Sequence, residues 1–174
     1  MTGPFPLLSR ILHWTMAVLI LAMLFIGIAM VSSLSDYHRL VAIHKPLGIL
    51  ILVLAAIRLI NRLFQPPPSL PNDMPGLLRL AANASHYILY ALMFALPLVG
   101  WAMLSAAGYP IVMAGAWHLP PIAPHNDALF AFLRPLHTVL AFAFFATFLA
   151  HLGAALMHAL IFRDGVFRSM TAGR

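Results

Sequence analysis

Cysteine and glutamate are both absent from this chain of 174 residues, and charged side chains of every kind make up only 8% of it. Without cysteine there is no disulfide, no thiolate-held iron–sulfur cluster, no cysteine nucleophile and no covalent attachment of a c-type haem. Any metal must be held by other donors. Four aspartates are the only acidic side chains, which argues against a hard-cation or proton-coupled pathway. Ten basic and four acidic side chains also cannot clothe a water-soluble globule of this size, because the apolar excess would face water as one continuous surface. A soluble enzyme is excluded. The net charge of +6 does not indicate nucleic acid either, since the basic residues are scattered over loops and span ends and form no patch.

What the chain does contain is 63% hydrophobic residues and a mean hydropathy of +0.95. Four stretches reach the roughly 20 apolar residues that cross a hydrocarbon core: about 11–34, 40–63, 84–106 and 136–162. The first is too long, and too early interrupted by Arg10 and His13, for a cleaved signal peptide, so it reads as a permanent span. The expected fold is all-α, an integral-membrane four-helix bundle, with residues 1–174 as one domain. The proline-rich run at 65–75 holds neither helix nor ladder. The connection at 108–135 carries five prolines, with one short helical stretch at 127–133 expected to lie on the membrane surface. Arg10, Arg58, Arg62, Arg79, Arg163, Arg168 and Arg174 fall on the side of the termini, and Arg39, Lys45 and Arg134 on the other. Seven against three predicts cytoplasmic termini and an outer 108–135 loop.

Nine histidines are the obvious metal donors. Ionisable groups inside spans are expensive and read as functional. His137 and His151 are 14 residues apart, about 40° short of four full turns, so they share a helix face with about 21 Å between them along the axis. That is too far apart to share one metal. In the predicted topology His44 lies at the depth of His137, and His13 at the depth of His151 or of His158, which is seven residues further along the same face. Facing imidazoles between apolar helices suit a b-type haem, clamped at both axial positions. Zinc or copper transport through a histidine-lined permease uses the same residues. Arg58, 14 residues after His44 on its helix face, could hold haem propionates together with Arg62 by charge-assisted bonds, or the two arginines snorkel. His38, His118 and His125 read as interfacial, as does His86 beside Tyr87 and Tyr90. The ten methionines read as lipid-facing or gap-filling.

Four pieces then occur in order: Arg10-Ile11-Leu12-His13-Trp14; His44-Lys45-Pro46-Leu47-Gly48 with Arg58 and Arg62; His86-Tyr87-Ile88-Leu89-Tyr90 leading to Leu96-Pro97-Leu98-Val99-Gly100-Trp101; and His137, His151 and His158 followed by Arg163-Asp164-Gly165-Val166. With these the chain resembles the bacterial cytochrome b561 family, small four-helix di-haem membrane cytochromes related to the cytochrome b subunits of hydrogenases. The likeness runs from about Leu8 to Met170. It implies two haem b groups in the bundle core, ligated by His13 with His151 and by His44 with His137. It also implies a quinone neighbourhood around His158. Some members oxidise superoxide at the outer face and reduce ubiquinone. The expected function is therefore electron transfer in the bacterial inner membrane from an outer-face donor, superoxide, to ubiquinone. Outer-face Arg39, Lys45 and Arg134 would give a small anion modest steering. An electron-transfer subunit docked to a dehydrogenase or hydrogenase is the alternative within the same fold.

Overall fold

The computed structural model describes residues 4–68, 75–113 and 117–171. Four long helices dominate: α1 (Leu7–Ser32), α2 (Tyr37–Phe64), α3 (Gly76–Ala106) and α4 (Asp127–Met157). A π-helical turn at His158–Phe162 continues α4, and a short helix, α5 (Val166–Thr171), follows. Each long helix is apolar and long enough to cross a membrane. In lipid no water satisfies the backbone, so a spanning segment must close its hydrogen bonds within itself.

Local chemistry sets the helix ends. Asn126 caps α4, its Oδ1 accepting the Leu129 N–H at 2.8 Å. Prolines at 66–68 follow the last residue of α2 closely and cannot extend it. At the end of α3 the chain reverses through Gly108 at φ 73°, where the Gly108 and Tyr109 N–H groups return to the carbonyls of Ser105 and Leu104. A positive φ costs glycine nothing.

Two boundaries differ from expectation. α3 begins at Gly76 rather than near 84, because Arg79 and Asn83 interrupt the apolar run without interrupting the helix. The stretch at 127–133 is no separate surface helix; it is the first part of α4, which runs straight through Pro135. Proline removes one N–H and frees the carbonyl four residues earlier, here that of the exposed Ala131, and spanning helices tolerate such a loss.

The helices pack as two antiparallel hairpins, α1 on α2 and α3 on α4, joined by a thinner seam between α2 and α3. The buried core is small: Met16, Ile20, Ile51, Ala55, Leu92, Met93 and Phe144. Large apolar side chains such as Phe25, Val31 and Phe142 face outward, as a lipid solvent allows. At one end the 117–126 segment is tied to α3, with Trp101 Nε1 donating to the Pro120 carbonyl (3.0 Å), the Ile122 N–H to Ser105 Oγ (3.1 Å) and His125 Nδ1 to the Ala106 carbonyl (2.8 Å). His125 is thus a cap on α3. At the other end α5 receives the N-terminal segment, through Phe5 N–H to the Ser169 carbonyl (3.0 Å) and Trp14 Nε1 to the Met170 carbonyl (3.1 Å).

Candidate metal centres

His13 on α1 faces His151 on α4, and His44 on α2 faces His137 on α4; in both pairs the ring centroids are 6.3 Å apart and the planes inclined at 68°. This spacing has room for a metal between the rings. Two imidazoles joined directly by a hydrogen bond of about 3 Å, with the half-width of each ring added, place their centroids about 5 Å apart. Two imidazoles bound to one metal from opposite sides, at about 2 Å each, place them about 6 Å apart. Both pairs match the second case. Nδ1 of His44 and of His137 is buried without a hydrogen bond of normal geometry. The Leu96 carbonyl on α3 is the backbone group directed toward His137, short of a hydrogen bond of normal geometry.

Around the His13–His151 pair lies a cavity with a polar lining of His13, His151, Arg58, His86 and Tyr90 and apolar walls that include Met93, Phe144 and Phe148. Few polar groups converging within apolar walls are typical of a cofactor site. Arg58 reaches in from α2 and donates from Nη2 to His13 Nδ1 at 2.9 Å. Arg58 and Arg62 both lie over the Tyr90 ring, at 5.9 and 5.8 Å from its centroid, and line a second, adjoining hollow with Ser9, Asn61 and Gln65. The two arginines therefore stand beside one histidine pair only.

A 14-residue stagger recurs on every long helix: His13 and Gly27, His44 and Arg58, His86 and Gly100, His137 and His151. At about 21 Å of rise each pair spans the same two depths on one face. One layer holds His13, Arg58, His86 and His151, and the other Gly27, His44, Gly100 and His137. A Cβ added at Gly100 would lie 3.2 Å from His137 Cε1, whereas one added at Gly27 would meet nothing within 4 Å. Gly100 thus leaves room beside the His137 imidazole that a larger residue would take.

Sequence reasoning placed His86 at the interface, yet its ring lies 5.3 Å from that of His151 and its Nδ1 donates to the Ala82 carbonyl at 2.7 Å. The stagger from His86 to Gly100, equal to that from His137 to His151, was the signal that could have found it. His158 is not among the residues lining either cavity. It sits at the π-helical turn against Phe162 and donates from Nδ1 to Asp164 Oδ2 at 2.6 Å. His38 stacks edge-on with Tyr37. No cluster of three or more histidine or carboxylate side chains suited to a single metal ion occurs among the described residues, and the donors come instead as separate pairs.

Comparison with known proteins identifies the family. The family model of prokaryotic cytochrome b561 matches residues 4–173. Cytochrome b561 homolog 2 of Escherichia coli strain K12 is 34% identical over 94% of this chain and 88% of its own. The "Probable superoxide oxidase CybB" of Yersinia pestis is 33% identical over 74% of this chain and 72% of its own. Cytochrome b561 homolog 1 of Escherichia coli strain K12 is 30% identical over 80% and 79%.

Proposed function

Because this chain belongs to the prokaryotic cytochrome b561 family, we propose that it is a di-haem b cytochrome of the bacterial inner membrane that passes electrons from superoxide to ubiquinone. The observation that carries the reading is the pair of imidazole pairs, each at 6.3 Å. His44 and His137 hold the outer haem, His13 and His151 the inner one. When bound, each haem supplies a reversible one-electron acceptor within the bundle.

The protein's own residues do the rest. A neutral imidazole that accepts a hydrogen bond at Nδ1 carries its proton on Nε2. Ligation through Nε2 by His13 needs the opposite tautomer, so Arg58 must then turn from Nδ1 to another acceptor, and the propionate carboxylates fit that role with Arg62 beside it. Apolar side chains such as Phe144 and Phe148 line the inner cavity and exclude water from it. In the overall reaction two superoxide anions each lose one electron and leave as O₂, while ubiquinone takes two electrons and two protons. Superoxide is drawn to the outer face by Arg39, Lys45 and Arg134. Ubiquinone is reduced near the cytoplasmic end of α4, where His158 and Asp164 can hand on protons. The Yersinia relative's name lends support to the donor.

An absorption spectrum with haem quantitation on purified protein tests the reading. Two haems per chain are expected, one lost in His137→Ala and the other in His151→Ala. Stopped-flow mixing with superoxide should reduce haem in the intact protein. Two haems without that reduction would instead favour an electron-transfer subunit fed by a partner protein, and no haem at all would revive the metal permease.

A further inference from the structure

The two layers of the bundle are alike in their ligand pairs and unlike on α3. At the outer depth α3 offers Gly100 and the Leu96 carbonyl to His137; at the inner depth it offers a third imidazole, His86, to His151. At 5.3 Å between centroids, with the planes inclined at 79°, His86 and His151 meet edge-on, too close for a metal between them and close enough for one nitrogen of each to come within about 3 Å of the other. The acceptor is already prepared. His86 Nδ1 donates to the Ala82 carbonyl at 2.7 Å, so the neutral ring keeps its lone pair on Nε2. His151 needs such an acceptor, because a ring ligating through Nε2 carries a proton on Nδ1 that must go somewhere.

We propose that His86 is a positioning residue for the inner centre, accepting the Nδ1–H of His151 at its own Nε2 and passing the orientation back to the Ala82 carbonyl on α3. The inference rests on His13 and His151 being the inner ligands. Its consequence is a difference between the haems. Donation of the Nδ1 proton to an imidazole nitrogen makes the ligating ring more basic, which favours ferric iron and holds the inner midpoint potential down. The outer haem, with only a backbone carbonyl beside His137, serves as the internal reference.

The test is spectroelectrochemical titration of the purified holoprotein, with the midpoints assigned in the His137→Ala background, where only the inner haem remains. In His86→Leu two haems per chain should persist, the inner midpoint should rise and the outer should stay in place. In His86→Gln, whose amide oxygen can accept the same proton, the inner midpoint should return toward the parent value. Two haems with both midpoints unchanged in His86→Leu would overturn the proposal. If His86→Leu loses the inner haem, His86→Gln decides: a retained inner haem near the parent potential supports the role, and a lost one overturns it. One haem in His86→Leu together with two in His13→Ala would mean that His86 is itself the ligand. That outcome removes the pairing assumed above, and is distinct from a failure of the positioning role alone.

Discussion

Gly100 is where a single methyl group should tell most. Its Cβ would come 3.2 Å from His137 Cε1, closer than a ring held from two sides can easily yield. Gly100→Ala should weaken outer haem binding, and Gly100→Val should abolish it, with overpacking of roughly 1–3 kcal/mol confined to the outer centre. Haem content and the inner midpoint, which should not move, check this. His158 makes a different demand. Its bond to Asp164 at 2.6 Å orients the ring at the C-terminal end of α4, so His158→Ala should keep both haems yet slow reoxidation by a soluble ubiquinone analogue by about 10²-fold, and Asp164→Asn should slow it less. That His137 and His151 share a face was legible in the sequence because 14 residues of α-helix return to nearly the same direction, whereas spacing left His13 between His151 and His158 and only the family resemblance chose His151. The Arg58–His13 bond and the seat of His86 against His151 were not legible. Both depend on how helices distant in sequence rotate against each other, and interfacial tyrosines around His86 supplied a plausible and different reading.

Among the elements, α4 carries the most, since it alone supplies a histidine to each pair. Its start is fixed by Asn126, whose side chain accepts the Leu129 N–H while its own N–H bonds the Ala106 carbonyl at 3.0 Å. Asn126→Ala should therefore destabilise the fold by about 1 kcal/mol, read as a lower midpoint of thermal unfolding in detergent. The effect should be larger on the outer haem than on the inner, because His137 lies nearer that cap. Four spans were legible from hydropathy alone. The true lengths of α3 and α4 were not, because an apolar-run count stops at a polar residue or a proline, whereas a helix stops only when its backbone bonds find other partners. Arg79, Asn83 and Pro135 each interrupt the first without ending the second.

At the scale of the molecule, orientation follows from charge. Seven basic side chains on the side of the termini against three on the other predict that a reporter fused after Arg174 is active only in the cytoplasm and that a label introduced near Pro124 is reached from outside; an outer C-terminus would reverse the direction of electron flow and leave the histidine pairs intact. The bundle is also divided, α1 with α2 and α3 with α4, and each histidine pair has one member in either half. Iron held by both members is then a rivet across the joint, and a ligand bound only by the closed form stabilises that form by mass action. Synthesis of the chain and supply of its cofactor thereby become linked: in cells starved of haem the newly made protein should be degraded faster than in replete cells, as pulse-chase labelling would read, and His137→Ala combined with His151→Ala should be short-lived under both conditions.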